Sequence, residues 1–149
     1  EQATTSGTEK DFTIPAWATE IQLILVGVST NGTSNWLIQL GDGGGIETGS
    51  YLGTGGVLTA TPSVANFTSG FGLPSDAATT VAHGVITLNL ENASNFTWAC
   101  KGMLGLSNAA AGLWTAGSKS LSAALTTVRL TTVNGSDAFD AGAVNVKYT

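Results

Sequence analysis

The chain has 149 residues, 42% of them apolar, and carries a net charge of −5. That length and apolar content exclude a disordered chain and make one packed domain the default. The five cations, Lys10, Lys101, Lys119, Arg129 and Lys147, form no cluster, so a nucleic-acid backbone is not an expected partner. No run approaches the ~20 apolar residues of a membrane helix, and membrane insertion is not expected.

Taken in order, residues 1–10 are small and polar and are expected to be a flexible lead-in or linker, with residues 11–149 forming one β-sandwich domain. A start at Glu1, without Met or a signal-peptide pattern, is expected of a processed chain or a piece of a longer one. Phe12–Ile14 is a short strand closed by Pro15. Ile21–Val28 and Trp36–Leu40 are two strands around Asn31-Gly32, and Asn-Gly tolerates the positive φ of a tight turn, so a hairpin is predicted. Gly41–Gly45 is a flexible loop, and Ser50–Leu52 with Gly56–Thr61 is a broken strand or a pair. Pro62–Thr80 is a long loop packed over a sheet end through Val64, Phe67, Phe71 and Leu73.

Alternation returns in Val81–Leu90, where Ile86, Leu88 and Leu90 oppose Val85, Thr87 and Asn89. Phe96, Trp98, Cys100 and Gly102 form one face of the next strand. Leu113–Gly117, Thr126–Val133 and Ala143–Tyr148 complete the set. Asn108–Ala111 is too short for a helix, and parallel sheets need crossover helices. The fold class expected is therefore all-β, an antiparallel two-sheet β-sandwich of jelly-roll type with about eight or nine strands.

Few residues point to chemistry. His83 is the single histidine and no G-x-S-x-G elbow accompanies it, so neither a triad nor any other catalytic group is expected. The ten acids, Glu1, Glu9, Asp11, Glu20, Asp42, Glu47, Asp76, Glu91, Asp137 and Asp140, include no glycosidase motif. Asp42 with Glu47, or Asp137 with Asp140, offer oxygen ligands without the EF-hand spacing, and solvated turns are the expected reading. No His and Cys cluster suits zinc. No metal or cofactor is expected. Cys100 stands alone in an apolar strand and is expected to be a buried, inert thiol. Trp36 and Trp98 are expected in the core by their register. Trp17, after the Pro turn, and Trp114, among small residues, are the candidates for ligand or subunit contact. Asn31, Asn66, Asn92, Asn95 and Asn134 stand in Asn-x-Ser/Thr sequences, which suggest glycosylation in a eukaryotic secreted protein and, on the resemblance given next, simply mark turns.

The run Phe12, Ile14-Pro15, a strand, Gly27-Val28-Ser29-Thr30-Asn31-Gly32-Thr33-Ser34 and Ile38-Gln39-Leu40-Gly41 resembles a domain of tailed-bacteriophage virion proteins. It is dense over the first third of the chain and brings no catalytic motif. The resemblance implies a structural or interaction domain of a fibre, spike or capsid-surface appendage on the virion surface. It implies other virion proteins as partners, a trimeric homo-oligomer, and a host surface glycan as a further contact. The alternative is a carbohydrate-binding module of a secreted protein. A chain with only 10% charged residues has a surface that fits a subunit interface, because small polar residues desolvate cheaply.

Overall fold

The computed structural model describes residues 1–75 and 77–149. Asp76, among the acids named above, lies outside them. The described residues form no helix and thirteen strands in two antiparallel sheets. These are β1 (Gln2–Ala3), β2 (Lys10–Thr13), β3 (Glu20–Thr30), β4 (Trp36–Asp42), β5 (Gly45–Glu47), β6 (Leu52–Leu58) and β7 (Ser63–Phe67). They continue as β8 (Phe71–Leu73), β9 (Ala82–Asn92), β10 (Thr97–Leu106), β11 (Gly112–Ser120), β12 (Thr127–Thr132) and β13 (Phe139–Tyr148). The large sheet has the order β1-β13-β3-β9-β10-β11-β6-β7; the small sheet has β2-β12-β4-β5, with β8 also paired to β4.

Two quartets, β1-β13-β3-β9 and β2-β12-β4-β8, face each other, and β1 to β4 alternate between the sheets. That is jelly-roll connectivity. The strands beyond eight or nine arise because the hairpins β6–β7 and β10–β11 extend the large sheet past β9.

Alternation explains the layers. Ile21, Leu23 and Leu25 of β3, Ile86 and Leu88 of β9, and Trp98, Cys100 and Leu104 of β10 point inward. They meet Trp36, Ile38 and Leu40 of β4 and Val128 and Leu130 of β12 in one core. Trp36, Trp98 and Cys100 are buried as expected. β4 is buried on both faces because the turn after β7 covers its outer side, where Gln39 Nε2 donates to Ser69 O at 2.8 Å.

The structure corrects several local readings. β3 and β4 lie in different sheets and form no hairpin. Neither Asn31 nor Gly32 has positive φ. The connection is held instead by the loop before β13: Asp137 Oδ2 accepts from Ser34 N at 2.8 Å, and Asn31 Oδ1 accepts from Ala138 N at 2.9 Å. Gly32 is required because a Cβ there would overlap the Asp137 carboxylate. Gly41–Gly45 is no flexible loop but the turn of the β4–β5 hairpin, where Asp42 Oδ1 accepts from Gly44 N. The broken strand is the continuous β6, and the long loop at Pro62–Thr80 contains β7 and β8. Phe67, Phe71 and Leu73 are buried there, while Val64 faces solvent. Asn66 sits within β7 rather than in a turn. Within residues 1–10, Gln2 and Ala3 pair with β13 and Thr4 is buried.

The two sheets are also tied by an ion pair. Lys119 of β11 is 4% exposed and its Nζ lies 2.5 Å from Glu47 Oε2 of β5. Tyr51 lies beneath the ammonium, and its hydroxyl accepts from Leu40 N at 2.7 Å and donates to Glu47 O at 3.0 Å. Burial pushes the Tyr51 hydroxyl up to about 12. Burial alone would raise the Glu47 carboxyl, but hydrogen bonds from Lys119 and Ser122 outweigh it and hold the group below its ordinary 4.5. A depressed carboxyl stabilises the fold fully above its unfolded value, and that contribution is lost as pH falls through the folded value. Glu47→Gln should therefore lower stability near neutrality by about 2 kcal/mol, less than the ~3–5 of a fully buried pair. The difference from wild type should shrink below pH 4.5. Denaturant melts across pH check this; a difference independent of pH contradicts it.

Trp98→Ala should cost about 3–5 kcal/mol, as for other buried aromatics. Its indole N–H has no acceptor among the described residues, so Trp98→Phe should cost much less. Melts in which the alanine variant loses under ~1 kcal/mol would place Trp98 outside the load of the core.

Candidate functional site: the outer face of the large sheet

With one face of each strand committed to the core, the outward residues of the eight-stranded large sheet make a broad surface built by many strands together. The register aligns them. Ile24 of β3 is opposite Val85 of β9, Val85 opposite Met103 of β10, and Met103 opposite Trp114 of β11. Trp114 is opposite Gly56 of β6, and Gly56 opposite Val64 of β7. This apolar row crosses six strands, roughly 24 Å at ~4.8 Å per strand. Met103 is 59% exposed and Val64 69%.

Gly56 is the gap in the row because the Trp114 indole occupies its place: a Cβ there would overlap the ring. Trp114 is half-buried, its indole spread over β6. Leu58, Val85, Met103 and Trp114 line an open depression of about 580 Å³, together with Thr87 and Lys101. Lys101 is exposed and makes no ion pair among the described residues. The adjoining row is polar, running Gln22, Thr87, Lys101, Ala116, Thr54 and Asn66.

Trp17, the other aromatic singled out by sequence, is 64% exposed. It meets Tyr148 edge-on, ring centroids 5.5 Å apart, at the end of β13. The structure does not bring Trp17 and Trp114 together: β3, β9 and β10 separate β13 from β11. Val85, Met103, Leu58 and Val64 were missed by sequence reasoning. Val85 was assigned to the face opposite Ile86, but nothing local says that Met103 and Trp114 stand beside it.

The remaining candidates are occupied by structural bonds. His83 is exposed at the start of β9, and its Nδ1 accepts from Gly27 N at 3.1 Å, where positive φ at Gly27 and Gly142 kinks β3 and β13. Burial pushes the Cys100 thiol up, away from the reactive thiolate. Asp42 caps the turn after β4, Glu47 pairs with Lys119, and Asp137 accepts from Asn134 Nδ2 and Ser34 N, which hold its carboxyl below the usual range. Among the described residues, no three His, Cys, Asp or Glu side chains come together as a metal site would require.

No protein-family model matches the chain, and neither a characterised protein nor a solved structure is significantly similar to it.

Proposed function

We propose that the chain is a structural, interaction domain of a bacteriophage virion that binds rather than catalyses, and that the outer face of its large sheet is the contact surface. The single observation behind this is the apolar row of Ile24, Val85, Met103, Trp114 and Val64 on a solvent face. Monomeric proteins rarely leave a contiguous apolar surface of several hundred Å² uncovered. Among the residues lining the depression Lys101 is the one charged side chain, so covering it strands little else. The virion setting, on a fibre, spike or capsid-surface appendage, rests on the resemblance in the first third of the chain. Other virion proteins are the partners. Three-fold symmetry has only that resemblance behind it, and the strand edge described below favours a two-fold contact.

A second reading is a glycan site, on the host surface or in a carbohydrate-binding module. It is favoured by one feature: Trp114 stands in an open depression beside Thr87 and Lys101, an aromatic surface flanked by hydrogen-bond donors. Cryo-electron microscopy of the intact particle at side-chain resolution separates the two. Met103 and Trp114 should be covered by a neighbouring protein chain; the same face open to solvent, or carrying a sugar, contradicts the packing reading.

The binding role also carries an expectation about chemistry. A screen against bacterial surface polysaccharides should detect no turnover. Hydrolysis abolished by changing one Asp or Glu would overturn the non-catalytic assignment.

A further inference from the structure

An antiparallel sandwich has strand edges whose unpaired amides and carbonyls can template another chain, and proteins commonly blunt them with charge, brevity or cover. Most edges of this molecule are blunted. β2 carries Lys10 and Asp11, the latter in a bidentate pair with Arg129. β1 is two residues long, and β5 and β8 are three residues each. The stretch of β13 beyond its pairing with β1, Asn145–Tyr148, includes Lys147.

β7 differs. It is the last strand of the large sheet, five residues long, with the sequence Ser63-Val64-Ala65-Asn66-Phe67. It contains no charge and no proline, and its pairing with β6 runs without a bulge. The direction of its backbone groups follows from its neighbours. Ala65 O accepts from Thr54 Oγ1 of β6, and the carbonyls of Ser63 and Phe67 lie against Gly56 and Gly53. Residues 63, 65 and 67 thus turn their backbone groups toward β6. Alternation then turns the N–H and C=O of Val64 and Asn66 outward, away from the sheet. No other hydrogen bond among the described residues accounts for them.

We propose that β7 is a self-association edge, pairing antiparallel with β7 of a second copy across a two-fold axis at Ala65. This extends the interaction reading by naming a partner and a contact. Ala65 then faces the copy's Ala65, and Val64 faces the copy's Asn66. Each Val64–Asn66 pair exchanges two hydrogen bonds, and the axis generates two such pairs, so every outward group of β7 is satisfied. Self-pairing brings no like charges together, because β7 has none. The two Val64 side chains become diagonal neighbours on the outer face, so the apolar rows of the two copies approach each other there. A two-fold contact closes on itself and leaves no second β7 to propagate a fibre.

The register gives a direct test. Ala65 and its copy form a non-hydrogen-bonded pair, with Cα atoms about 4.5 Å apart, within the range a disulfide spans. Ala65→Cys oxidised in air should form a covalent dimer about tenfold faster than Ser94→Cys, through the effective concentration of facing thiols. Ser94 is an exposed residue in the β9–β10 turn, and native Cys100 is buried and does not compete. Sedimentation equilibrium of the wild-type chain should show a mass rising with concentration from 15.0 kDa toward twice that value. Asn66→Pro removes an outward N–H at a position an edge strand tolerates, and should hold the chain at 15.0 kDa with an unchanged circular dichroism spectrum. The cysteine comparison stands alone if the proline variant fails to fold. A 15.0 kDa mass at every concentration up to the solubility limit overturns the proposal. So does a three-fold mass, or an Ala65→Cys no faster than Ser94→Cys. A monomer whose outer face is nonetheless covered by a different virion protein would sink the β7 contact and leave the interaction reading intact.

Discussion

Everything in this molecule depends on one constraint: each sheet must bury one face against the other, and a strand offers only alternate residues to do it. Ile21, Leu23 and Leu25 go in, so Gln22 and Ile24 go out; Ile86 and Leu88 go in, so Val85 and Thr87 go out. The core is complete without the outward set. An apolar residue facing outward contributes nothing to that core, and one alone would mean nothing. A row of them aligned by register across six strands is a surface, and extended apolar surfaces mark interaction sites where single exposed residues do not.

The same constraint explains how far the sequence could be read. Within a strand, period two is local, and the inward sets of β9, β10 and β12 were legible from Ile86 and Leu88, Trp98 and Cys100, and Val128 and Leu130. Sheet membership is not local. The pattern of β3 and β4 suits a hairpin around Asn31-Gly32, yet the two strands lie in opposite sheets, joined by bonds to Asp137 and Ala138 more than 100 residues away. The tertiary contact overrides the turn preference. β7 and β8 were hidden by Pro62, Gly70, Gly72 and Pro74; the two glycines serve close approach, Gly72 making room for the Phe67 ring and Gly70 for Leu37 and Gln39.

The candidate site was legible only in its aromatic member. Trp114 stands out in a small-residue stretch, although its ring is half-buried over β6 rather than free in solvent. Its partners could not be found, because Val85, Met103, Gly56 and Val64 become neighbours only through the pairings of β9, β10, β11, β6 and β7. The ion pair of Lys119 and Glu47 was equally hidden: a lysine in an alternating strand reads as solvent-facing, and its burial depends on a carboxylate carried by the other sheet. The charge-poor composition, by contrast, is a global property with no address along the chain.

The account stands on the outer face being a contact surface. Met103 is the single methionine, sits in the middle of the apolar row and is well exposed in the free chain, so it is a built-in probe. Brief oxidation followed by mass spectrometry reports its solvent access through sulfoxide formation. The account predicts rapid Met103 oxidation in the isolated chain and strong protection in the assembled particle. Equal oxidation in both states would mean that the face stays open, and would contradict the central claim.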